Sequence, residues 1–123
     1  MTRILATILF LIAAMPLARA QGGPPLLDDP DYWQIHDQNG PIPYTIKVEL
    51  IGYLGDLEWW EFVVYKDGAY VDWCWAFVDP WDLTGFDVYN HDSRKWTEWI
   101  WNDDHYDKVG GTSSVRKYYP VKE

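Results

Sequence analysis

The 123-residue chain has a single cysteine, Cys74, so it forms no internal disulfide. A small domain without that staple has to be held by its packed core. Positive charge is scarce too: ten Lys and Arg face nineteen Asp and Glu, for a formal net charge of −9. Binding a phosphate backbone needs a basic surface, so nucleic acid is not an expected partner. Past residue 20 there is no apolar run long enough to cross a bilayer. Catalytic signatures are also missing. The neighbours of Ser93, Ser113 and Ser114 do not form a G-x-S-x-G elbow, and a lone cysteine between Trp73 and Trp75 makes a poor thiolate.

Rings are what the chain has in plenty. Nine Trp, nine Tyr and four Phe are present, all but Phe10 beyond residue 20, where they outnumber Leu, Ile and Val. Large rings bury much area for little rotamer entropy, which suits a core with no disulfide. So aromatic a composition also argues against intrinsic disorder.

The amino end reads as an export signal. Met1-Thr-Arg3 is a short basic start, Ile4 to Leu17 is almost wholly apolar, and Ala18-Arg-Ala20 offers a small-residue cleavage site. The apolar run reaches about 21 Å as a helix, short of the roughly 30 Å hydrocarbon layer. Cleavage before Gln21 is therefore expected rather than an uncleaved anchor. The product would have 103 residues and, having lost Arg3 and Arg19, a net charge of −11. It is expected to be periplasmic or extracellular, with no stable membrane insertion.

Residues 21–43 carry five prolines, four Asp and three Gly without a period. They read as an extended leader packing through Tyr32, Trp33 and Ile35, ahead of a single β domain over 44–123. Tyr44, Ile46, Val48 and Leu50 alternate with polar residues, the period of a half-buried strand that Gly52 and Gly55 end. Asp67-Gly68 between two alternating runs signals a two-residue type I′ hairpin. Counting outward from Lys66 opposite Ala69 pairs Val64 with Val71, Phe62 with Trp73 and Trp60 with Trp75, an apolar face read as core. Trp59, Glu61, Val63 and Tyr65 then share the other face with Tyr70, Asp72, Cys74 and Ala76.

A second hairpin, Phe86 to Asn90 and Lys95 to Trp101, pairs Asn90 with Lys95. A helix from Ser93 is the alternative, because Trp96, Trp99 and Ile100 also fit a 3.6 period. Residues 102–107 and 110–114 read as loops, and Val115 to Val121 as a last strand closed off by Pro120. The expected fold is all-β: a small antiparallel β-sandwich or barrel of five to six short strands behind the Pro/Gly/Asp-rich leader.

Candidate chemistry is sparse. The aspartates cluster at 28, 29 and 31, at 79 and 82, and at 103, 104 and 107, but none of these matches an EF-hand. No cofactor is expected; if calcium binds, Asp103, Asp104 and Asp107 with the neighbouring carbonyls are its expected ligands. His36, His91 and His105 make no paired-ligand motif for a transition metal. Cys74 reads as a small buried hydrophobe, with an intermolecular disulfide as the alternative. Two carboxylate pairs, Glu61 with Asp72 and Asp87 with Glu98, fall at roughly 5–8 Å in these registers, which overlaps glycosidase spacing. So short a chain leaves little room for a deep cleft, so catalysis is not expected.

These residues point to an exported, non-catalytic binding domain. Trp59, Glu61, Tyr65, Tyr70 and Asp72, with Tyr89 and Trp96, would stack on and hydrogen-bond to a glycan. One alternative is an acidic protein-binding or inhibitory domain that draws a cationic partner. Another is a structural subunit of an envelope or extracellular assembly, in which an oligomer covers the same face.

Overall fold

A computed structural model describes residues 23–111 and 114–123. The run read as an export signal, its cleavage site and Ser113 lie outside the described residues. Eight strands follow one another: β1 Tyr32–Asp37, β2 Gly40–Leu54, β3 Leu57–Lys66, β4 Ala69–Asp79, β5 Asp82–Asn90, β6 Lys95–Asn102, β7 His105–Val109 and β8 Lys117–Val121. Each pairs antiparallel with the next, and β8 pairs with β1, which closes an up-and-down barrel. Closure leaves no unpaired sheet edge.

The chain is thus all-β, as expected, but it is one barrel of eight strands rather than a sandwich or barrel of five or six. Two of the extra strands come from stretches read as leader or loop. β1 and the start of β2 lie within residues 21–43, and β7 begins at His105 inside the segment read as a loop. Prolines hid the first of these. β2 meets β3 only from Tyr44, opposite Lys66, so Pro41 and Pro43 sit where β2 has β1 alone beside it. A missing N–H is tolerated there. In β7 the short alternation of Tyr106 and Lys108 facing inward was masked by the polar residues around it.

The second hairpin has the register read from the sequence, with Asn90 opposite Lys95, Val88 opposite Thr97 and Phe86 opposite Trp99; residues 95–102 are strand, not helix. The first hairpin departs from expectation beyond its turn. Asp67 and Gly68 have φ of 51° and 83°, as a type I′ turn requires, and Lys66 does face Ala69. A β-bulge at Val71 then shifts the pairing, so Val64 faces Asp72, Phe62 faces Cys74 and Trp60 faces Ala76. One extra residue exchanges the two faces of a strand. Trp73 and Trp75 therefore stand outside the barrel, while Asp72 and Cys74 point inward. Steric room explains the exchange: the interior beside β4 already holds Trp60 and Phe62, so β4 contributes the small Cys74 and Ala76 there.

Inside, one end of the barrel is solid. Trp33 is 0% exposed and its indole Nε1 donates to the Leu27 carbonyl at 3.0 Å, which ties the chain ahead of β1 over that end. Tyr106 is equally buried, and its hydroxyl donates to the Leu83 carbonyl at 2.6 Å. Trp33, Phe86 and Trp99 surround Tyr106, with ring centroids 5.2 to 5.5 Å away.

Candidate functional site

Above this ring-packed floor the barrel is hollow. A cavity of about 340 Å³ opens at the end bearing the β3–β4 and β5–β6 turns. Its floor is Trp99, stacked on Tyr118 at 3.8 Å with the planes 7° apart, together with Phe62. Ile35, Ile46, Val64 and Val88 form the apolar wall. This region follows from the inward positions of alternating strands: Ile46, Val64, Val88 and Thr97 all lie on the core side of their pairings.

Towards the mouth the lining becomes polar and is divided by charge. On β4 and β5 stand Asp72, Cys74 and Asn90. Asp72 accepts through Oδ1 from the Trp73 N–H at 2.7 Å and through Oδ2 from the Asn90 side-chain amide at 2.7 Å. Asn90 in turn accepts from the backbone N–H groups of Asp92 and Ser93, so it pins the β5–β6 turn to the cavity wall. Asp92 sits against Asp72; the hydrogen bond between the two carboxyls, and then the Asp72 charge, raise its pKa. Burial, then Asp72, pushes the Cys74 thiol up to about 12, so the only cysteine is a free, protonated thiol in the cavity wall.

The other side of the mouth is basic. Lys95 on β6, Lys108 on β7 and Arg116 just before β8 line the cavity. The Lys108 N–H donates to the Arg116 carbonyl at 3.0 Å, so these two residues lie side by side across the β7–β8 pairing. Burial and then the Arg116 charge lower the Lys108 pKa. Gly111 closes the rim in a left-handed conformation, and a Cβ there would come within 2.6 Å of the Thr97 methyl.

Of the ligand-binding and metal candidates named from the sequence, only Asp72 lines the cavity. Trp59, Glu61, Tyr65, Tyr89 and Trp96 are on the outside of the barrel, and Tyr70 is on the same side at the β3–β4 tip. Glu61 and Asp72 therefore lie on opposite faces and do not form the pair expected from the shorter register. Asp87 and Glu98 are directly opposed, as expected, but both are exposed on the outer surface.

The outer face carries a ring ladder that includes the displaced Trp73 and Trp75. Trp59 packs edge-to-face with Trp75 at 5.0 Å, Trp73 stacks on His91 at 3.7 Å, and Tyr89 meets Trp96 at 5.0 Å. Much of this ring surface is thus taken by neighbouring rings. Trp96 at 55% and Tyr70 at 60% remain the open positions.

The third candidate cluster is occupied by a histidine. His105 lies with Nδ1 2.7 Å from Asp104 and Nε2 2.9 Å from Asp107, whose second oxygen accepts from Asn102. Asp103 forms the adjoining turn with φ of 64°. Among the described residues no group of three or more His, Cys, Asp or Glu is placed to hold a metal ion. His36 and His105, far apart in sequence, both pack against Tyr119, at 4.2 and 4.7 Å.

Sequence reading missed Asn90, Lys95, Lys108 and Arg116 as cavity residues. Their common signal is a polar side chain in step with core residues: Lys95 precedes Thr97 and Trp99, Lys108 follows Tyr106, and Arg116 precedes Tyr118. No protein-family model, curated protein or solved structure matches the chain.

Proposed function

We propose that this chain is an exported, non-catalytic binding protein that takes one small, largely apolar ligand into the open end of its barrel. The observation that carries this reading is the 340 Å³ cavity, apolar at its base and polar at its mouth, in a barrel otherwise filled by rings. Eight-stranded barrels have room for side chains or for one small ligand, and barrel mouths are common ligand sites. At about 30 Å³ per water the space holds roughly eleven waters, which suits a one- or two-ring molecule better than a long chain. Mid-strand charges on the outside, among them Lys47, Glu49, Asp87 and Glu98, support a barrel surrounded by water rather than lipid.

The test is a titration with 2-naphthylacetamide, a neutral two-ring probe, followed through the emission of the chain's tryptophans. Saturable binding in the micromolar range, about 8 kcal/mol, is the expected result. It should be lost when Thr97→Trp or Val64→Phe fills the cavity in a protein that keeps its circular dichroism spectrum. Binding that survives both cavity-filling variants would sink the reading.

A second reading keeps the glycan on the outer face, supported by the exposed Trp96 and Tyr70 and by the carboxylates of Glu61, Asp87 and Glu98 on that side. Retention on insoluble polysaccharide that Trp96→Ala abolishes is its expected result. Equal retention of the variant and the wild type would remove its support.

A further inference from the structure

The charges around the cavity run against those of the molecule. Among the described residues, Asp72 alone of nineteen carboxylates lines the cavity; of eight Lys and Arg, three do, namely Lys95, Lys108 and Arg116. An acidic protein has thus concentrated positive charge around this cavity. That one lining acid is also committed, since both Asp72 oxygens already accept hydrogen bonds from Trp73 and Asn90, and the Asp92 carboxyl beside it lies outside the lining. Lys108 and Arg116 adjoin across the β7–β8 pairing, and burial, then the Arg116 charge, lowers the Lys108 pKa. A charge pair of this kind, partly shielded from water and above an apolar wall, gains most from an anion placed between its members.

Building on the cavity reading above, we propose that the ligand is an anion: a one- or two-ring carboxylate whose ring body enters the wall of Ile46, Val64 and Val88 and whose carboxylate lies between Lys108 and Arg116. The flat Trp99 and Tyr118 rings below accept the apolar end, and Lys95, one strand further round on β6, adds to the positive field at the mouth. Selection is then by head-group charge as much as by shape. A cationic amine of the same size would meet three like charges in the lining, against the hydrogen-bonded Asp72 carboxylate and the Asp92 carboxyl beside it.

Three probes of one shape separate this proposal from the reading beneath it: 2-naphthylacetate, the neutral 2-naphthylacetamide and 2-(2-naphthyl)ethylamine. The acetate is expected to bind the full chain at least about tenfold tighter than the amide, and the amine more weakly than either. Lys108→Gln combined with Arg116→Gln should erase the preference for the acetate over the amide. In case that double variant does not fold, raising the ionic strength with wild-type protein should weaken the acetate severalfold and leave the amide unchanged. Asp72→Asn should tighten the acetate alone. Equal binding of acetate and amide, or tighter binding of the amine, overturns the anion proposal and leaves the cavity reading standing. If none of the three binds, both fall together.

Discussion

At the end of the barrel bounded by the 55–56, 80–81 and 103–104 turns, Trp33, Trp60, Phe86 and Tyr106 fill the interior and the chain ahead of β1 lies across it. At the opposite end the same strands present Val64, Cys74, Val88 and Thr97 around an open space rimmed by charges. The difference is one of side-chain size at successive inward positions. β3 runs from Trp60 through Phe62 to Val64, and β6 from Trp101 through Trp99 to Thr97 and Lys95. A chain with rings to spare has placed few of them at one end, Tyr44 among the lining there. Stability and binding are thereby assigned to opposite ends of a single core.

The largest effect expected from this division is at the closed end. Trp33→Ala should lower the unfolding free energy by about 3–5 kcal/mol, read as a fall in the urea midpoint, because a fully buried ring and its bond to Leu27 are lost. Val64→Ala, at the open end, should lower it by only about 1 kcal/mol, since the removed methyls face a space already open to solvent. Equal losses at the two ends would break the comparison.

A smaller effect is expected from pH, and it marks the boundary between the two ends. Burial raises the pKa of both Cys74 in the cavity wall and Tyr118 at its floor, so each keeps its proton longer in the folded barrel than in the unfolded chain. The Cys74 contribution is therefore complete below the ordinary thiol value of 9.0 and is lost as pH rises through about 12; that of Tyr118 is complete below its ordinary 10.0 and is lost at higher pH still. Urea midpoints measured across that window should fall with pH, and Cys74→Ala should make the slope shallower. A stability that rises with pH there would mean that the two groups are not buried as described.

How much of this was legible in the sequence depended on whether a strand's two faces differ. β5 and β6 alternate cleanly, Phe86 and Val88 against Asp87, Trp99 against Glu98, so their register followed from counting. β4 has apolar residues on both faces, Trp73, Trp75 and Phe77 against Cys74, Ala76 and Val78, and no local pattern indicated the bulge at Val71. Only the crowding of Trp60 and Phe62 inside a narrow barrel decides it, and that is a tertiary constraint. The cavity was hidden for the same reason. Lys108 and Arg116 come from a strand masked by polar neighbours and from the chain leading into the last strand, and they meet only because β8 folds back along β7.

The most direct test of where a ligand goes uses the one cysteine. Cys74 lines the cavity and has no counterpart on the outer ring ladder, so its alkylation by a small neutral thiol reagent reports on the cavity alone. If the cavity is the binding site, 2-naphthylacetate should slow modification of Cys74 at least about tenfold, with the same saturation curve that the tryptophan emission gives. An unchanged alkylation rate at ligand concentrations that saturate the emission change would place the ligand outside the barrel and contradict the account.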